Sequence, residues 1–122
     1  MTAEDRLQAA CIRWFDLHFP KVAKLLFAIP NGGKRHRRTA VTMKLTGTRA
    51  GVADLELLAY GRALFIEVKT PKGKQSATQK EWQELAESQG FEYVIIRNVD
   101  EFERAVCKFL NQAKAQFQAK AS

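Results

Sequence analysis

Residues 54–69, DLELLAYGRALFIEVK, constrain the fold more than any other stretch of the chain. They read as two short strands around a tight turn, residues 54–58 and 63–69 flanking Ala59-Tyr60-Gly61-Arg62. The second run is rich in Leu, Phe, Ile and Val, which suits a pleated, half-buried surface. Gly61 supplies the positive φ that a hairpin turn needs. Whether the loop is Tyr60-Gly61 or the four residues 59–62, the paired residue numbers sum to one constant. Leu58 then faces Ala63, Glu56 faces Phe65, and Asp54 faces Glu67. Opposed Cβ atoms of an antiparallel pair lie about 4.5–5.5 Å apart, and two carboxylates that close repel unless a cation sits between them. Lys69, two residues past Glu67, shares their face, whereas Leu64, Ile66 and Val68 point into a core. Two acids and a lysine side by side make a metal-site geometry. The bland alternative is a solvated acidic pair on an ordinary exposed hairpin face, and a three-residue loop would break the register.

With 122 residues, 46% of them apolar and 27% charged, the chain suits one α/β domain that buries its core without disulfides. No run approaches the roughly 18–20 apolar residues of a membrane span. The N-terminus, MTAEDRLQAA, is polar and acidic, unlike a signal peptide. Cys11 and Cys107 fall at apolar helical positions without CxxC spacing, the pattern of buried thiols in a reducing cytoplasm. The net charge of +7 points to a polyanionic partner. Residues 31–49 hold six cations and no acid: Lys34, Arg35, Arg37, Arg38, Lys44 and Arg49, with His36 among them. Lys69, Lys72 and Lys74 follow the second strand. Uncompensated clusters on both sides of the hairpin favour phosphate binding over a merely solvated loop.

In chain order, Thr2 caps a first helix with acids in its first turn, and Leu7, Ala10, Cys11, Trp14, Phe15 and His18 follow helical spacing until Pro20 ends it. His18 is expected as a satisfied edge-of-core histidine. LLFAI, residues 25–29, is expected as a buried strand entering the Pro30-Asn31-Gly32-Gly33 loop. A short helix is expected over residues 38–45. Ser76-Ala77-Thr78-Gln79 is a capping box opening a helix whose inner face would be Trp82, Leu85, Ala86 and Gln89, with Gly90 past its end. EYVII, residues 92–96, is a strand, and a capping box at Asp100–Glu103 opens a last helix with Phe102, Ala105, Val106, Phe109, Leu110 and Ala113 on one stripe. Residues 112–122 either prolong that helix or fray. This order gives an α/β sandwich around a mixed sheet.

Asp54 followed by Glu67-Val68-Lys69 resembles the acid…acid-x-Lys signature of the PD-(D/E)xK nuclease superfamily. Gly51-Val52-Ala53-Asp54-Leu55, Phe65-Ile66-Glu67-Val68-Lys69, Pro71-Lys72-Gly73-Lys74-Gln75-Ser76 and Gln79 narrow this. Together they resemble the VRR-Nuc (virus-type replication-repair nuclease) family. Glu4 with Gln8 resembles the family's N-terminal Glu motif, and the Asn31-Gly32-Gly33 loop also has a counterpart there. The likeness spans residues 4–99. One departure is Ala53, where the family usually has proline; that position gives no side chain to chemistry.

The resemblance implies an αβββαβ core of mixed sheet flanked by helices, with an extra C-terminal helix, as one stand-alone domain over residues 1–122. It implies a Mg²⁺- or Mn²⁺-dependent endodeoxyribonuclease. Asp54, Glu67 and the Val68 main-chain carbonyl would ligate the metal, while Lys69, Glu4 and Gln79 would complete the catalytic set. Two acids beside Lys69 keep it protonated until metal binds, which favours an electrostatic role over a general base. Gln79 has a rival task as the capping-box partner. Asn31, Lys34, Arg35, Arg37, Arg38, Lys44, Arg49, Lys72 and Lys74 would contact DNA. Stand-alone members resemble homodimers acting on branched DNA such as four-way junctions. The alternatives are action on flaps or single strands, or a non-catalytic binding module. No nucleotide cofactor and no membrane are implied, and the setting would be the cytoplasm of a bacterial or phage-infected cell.

Overall fold

The computed structural model describes residues 1–30 and 39–121. Helix α1, Ala3–His18, starts in a complete capping box between Thr2 and Asp5. A 3-10 turn, Pro20–Leu25, leads to strand β1, Leu26–Ala28. Helix α2, Ala40–Leu45, is capped by the Thr39 hydroxyl. Strands β2 (Leu55–Ala59) and β3 (Arg62–Val68) form the hairpin. Helix α3, Ala77–Ser88, crosses to strand β4, Glu92–Ile96, and helix α4, Val99–Ala121, closes the chain. The sheet order is β1-β2-β3-β4, antiparallel through β3 and parallel between β3 and β4. This is the mixed sheet flanked by helices that the residue pattern implied.

The hairpin register is the expected one. Leu58 pairs with Ala63, Glu56 with Phe65 and Leu55 with Ile66, so numbers along the ladder sum to one constant. The loop is the two-residue one, with φ of 51° at Tyr60 and 76° at Gly61. Two positive φ values match the twist of the flanking strands.

Alternation then sorts the strands onto two faces. Leu55, Leu57, Leu64, Ile66, Val68 and Ile96 turn toward α1 and α4, where they meet Cys11, Phe15, Phe102, Val106 and Phe109 in one buried cluster. The opposite face carries Phe65, which meets the Trp82 ring of α3 edge-on at 4.9 Å. Cys11 and Cys107 are not disulfide-bonded, and burial raises the Cys11 thiol to about 11. His18 donates from Nδ1 to the Trp14 carbonyl (2.8 Å) and stacks on the Trp14 ring, so it is satisfied, although at the surface.

Three local expectations are corrected. Strand β1 is an edge strand with one neighbour, so Leu26 is buried while Phe27 and Ala28 are exposed. The inner face of α3 runs through Gln79, Trp82, Gln83 and Ala86; Leu85 is 62% exposed. Helix α4 begins two residues early, because Asn98 is itself a competent cap: its Oδ1 accepts from the Glu101 amide at 2.8 Å. Of the two courses open to the tail, the helix is the one taken: α4 runs to Ala121, tied down where Arg62 donates to Gln116 and Phe117 packs on Tyr60.

Candidate active site

Asp54 sits one residue before β2, where the ladder stops. Val68 N–H, which a continuing ladder would give to Ala53, instead donates to Asp54 Oδ2 at 2.7 Å. The Lys69 amide donates the other way, to the Ile96 carbonyl of β4 at 3.0 Å. In a trans peptide C=O and N–H oppose each other, so the Val68 carbonyl faces the Asp54 side. Gly51 sets the approach to Asp54. Its φ is +82°, and a Cβ there would lie 2.3 Å from the Thr78 carbonyl. Only glycine lets this loop lie against the first turn of α3.

Glu67 is 1% exposed, although it points away from the apolar core. Its Oε2 accepts from Gln79 Nε2 at 2.9 Å and lies 3.6 Å from Lys69 Nζ; its Oε1 accepts from the Tyr93 hydroxyl at 3.0 Å. Burial first, then the charge of Asp54, pushes the Glu67 carboxyl up to about 7, against the pull of Tyr93 and Lys69. Burial also raises Asp54, offset by the Val68 amide, by Lys69 and by a hydrogen bond with Glu67. The two carboxyl groups therefore act as one unit at the open end of the hairpin, with the Lys69 stem only 9% exposed beside them.

The two tasks considered for Gln79 turn out to be compatible. Its Oε1 accepts from the Ser76 amide at 2.9 Å, completing the cap of α3, while its Nε2 holds Glu67. One planar amide joins the helix start to the acid.

Sequence reasoning missed Tyr93, Gln75 and Gln83. The Gln75 amide donates to the Tyr93 hydroxyl (3.2 Å) and to Gln83 Oε1 (2.9 Å), forming a polar chain from Glu67 to the flank of α3. Pairing of Phe65 with Tyr93 and Glu67 with Ile95 puts Tyr93 on the Glu67 face, but parallel pairing through a crossover helix leaves no spacing signal. Glu56 is half-buried opposite Phe27 and Phe65, and burial raises its carboxyl.

The remaining expected site residues differ in exposure. Glu4 lies half-buried in the first turn of α1. Among the described residues no three His, Cys, Asp or Glu side chains converge to hold a metal. Lys44, Arg49, Lys72 and Lys74 are exposed. Asn31, Lys34, Arg35, Arg37 and Arg38 lie outside the described residues.

A family model described as the VRR-NUC domain matches residues 2–100. The chain belongs to the VRR-NUC family. A solved structure described as a VRR_NUC domain protein superposes with a TM-score of 0.75 at 22% identity, covering 91% of this chain and 90% of that one, a likeness of fold. No curated protein matches the chain. Membership makes this VRR-NUC domain a nuclease-family protein, with nucleic acid as its class of partner. Among the described residues no helix is long and apolar enough to cross a membrane.

Proposed function

We propose that this VRR-NUC domain is a Mg²⁺- or Mn²⁺-dependent endodeoxyribonuclease that hydrolyses phosphodiester bonds, with branched DNA such as four-way junctions as its substrate. The observation that carries the reading is the buried Glu67 carboxyl, crowded by Asp54 and flanked by Lys69. The donor set fits a hard divalent cation: two mutually repelling carboxylates and a backbone carbonyl, Val68, facing the same side. Asp54, Glu67 and the Val68 carbonyl would hold the ion. A cation bound there polarises a phosphate and lowers the pKa of bound water.

The chain's own groups do the rest. Lys69 offsets negative charge building on the phosphate. Gln79 and Tyr93 each donate to one oxygen of Glu67, fixing the carboxylate plane and keeping its remaining lone pairs aimed into the site. Glu4, on the first turn of α1, would act on the water side of the site. Lys44, Arg49, Lys72 and Lys74, together with Asn31, Lys34, Arg35, Arg37 and Arg38, would hold the phosphate backbone, giving recognition by charge and shape. One site cuts one strand, so paired incisions across a junction require a two-fold dimer.

The test is a cleavage panel of single strand, duplex, flap and four-way junction with Mg²⁺, Mn²⁺ or a chelator. Preferential, chelator-sensitive cutting of the junction is expected. Wild-type rates from Glu67→Ala would overturn the site, and DNA binding without cleavage in any metal would leave a non-catalytic binding module. Sedimentation with and without junction DNA checks the dimer.

A further inference from the structure

Arg97 follows β4 directly and is spent on backbone. Its Nη1 donates to the Thr70 carbonyl at 2.8 Å and the Gly73 carbonyl at 2.6 Å. Its own amide is held by Glu101 Oε1 at 2.7 Å, in the first turn of α4. The side chain is half-buried. The residues it grips form a tight turn, closed by the Gly73 amide on the Thr70 carbonyl at 3.0 Å. That turn begins one residue after Lys69 and carries Lys72, with Lys74 next beyond it. Gly73 lies close over this corner of the site: a Cβ there would stand 3.2 Å from Thr70 Oγ1 and 3.5 Å from Lys69 Cδ.

We propose that Arg97 is a positioning residue that locks the 70–73 turn so that Lys72 and Lys74 meet the phosphate backbone of nucleic acid entering the site. A guanidinium on two carbonyls makes charge-assisted bonds, each stronger than a neutral pair. It also draws the negative ends of those peptides inward. Trans geometry then turns the Lys74 amide of the Gly73–Lys74 peptide away from Arg97. An approaching phosphodiester thus meets exposed ammonium groups on a turn whose carbonyls are occupied on the inside. Without the guanidinium, those carbonyls would compete for the lysines, and the turn would sample other shapes. Arg97 spends Nη1 on protein carbonyls, and the proposal assigns its effect on DNA to the two lysines.

The inference rests on the nuclease reading, and one experiment separates the two. Binding of a fluorescein-labelled duplex oligonucleotide is measured over a salt series for wild type, Arg97→Gln, Lys72→Ala/Lys74→Ala and the combined variant. Two lost phosphate contacts lower the slope of log K against log salt by about 2. Arg97→Gln is expected to lower it by as much as the double lysine variant does, and the combined variant by no more. Under cleavage conditions KM rises in Arg97→Gln while kcat is held. Additive losses, or a lower melting temperature with an unchanged slope, would overturn the proposal while leaving the nuclease reading intact. A wild-type protein that neither binds nor cuts DNA would overturn both. Arg97→Lys, which keeps the charge but is shorter and loses the planar guanidinium, gives a second reading should Arg97→Gln fail to fold: a slope lowered as in the double lysine variant supports the lock, and an unchanged slope with a lower melting temperature refutes it. Faster hydrogen exchange at the Gly73 amide with a reduced slope supports the lock, and unchanged exchange and slope refute it.

Discussion

The two faces of β3 use burial for opposite ends. Leu64, Ile66 and Val68 turn into an apolar cluster with α1 and α4, where losing water is the source of cohesion. Glu67 and Lys69, on the other face under α3, are almost as inaccessible, yet there losing water works against charge. It raises the Glu67 carboxyl and leaves the group answerable to Asp54, Gln79 and Tyr93. One strand thus carries stability on one side and stored electrostatic tension on the other. The lesson is that burial alone does not identify a core residue; the partners do.

Substitutions on the two faces should break this comparison in opposite directions. The largest effect is expected from Glu67→Gln, which removes the charge but keeps the shape. Cleavage should fall by about 10²–10³-fold or more, while the metal-free protein should melt at a higher temperature at pH 8, because an ionised buried acid is gone. Differential scanning calorimetry beside a junction assay checks both, and a lower melting temperature would count against tension at Glu67. Ile66→Ala, next door and fully buried, should do the reverse. It should cost about 2–5 kcal/mol of stability and leave the rate per folded molecule unchanged, as urea titration and active-site counting would show.

The pH dependence sharpens the contrast. A folded-state Glu67 near 7, against an unfolded value of 4.5, means the fold binds the extra proton between those limits. Stability contributed by that proton is full below pH 4.5 and lost as pH rises through 7. Asp54, raised from 3.8, adds the same sign. Melting in chelator should therefore drop between pH 5 and 8, and Mn²⁺ should reverse the slope by favouring the ionised pair. The smallest effect is expected from Tyr93→Phe. Removing one hydrogen bond from Glu67 should weaken Mn²⁺ binding by about 10–100-fold with about 1 kcal/mol lost in stability, measured by titration calorimetry and thermal melts.

Much of this was legible in the residues themselves. The strict alternation of the hairpin determined which side chains meet, and Thr2 and Ser76 announced their helices. What was hidden shares one property. Tyr93 and Arg97 act on residues more than twenty positions away, across a parallel strand pair whose register no turn dictates. Leu85 misled because a helix packed over a polar network has glutamines, as well as hydrophobes, on its inner face. Asp100 misled because Asn98, two residues earlier, is the residue that caps: its Oδ1 takes the Glu101 amide.

The Tyr60-Gly61 turn lies at the far end of the hairpin from Asp54 and Glu67 and takes no part in any chemistry, yet its length acts as a ruler. Were the turn to take three residues of this chain, 60–62, the two arms would slide by a single step and leave Asp54 opposite Val68, with its acidic counterpart on the wrong side of the sheet.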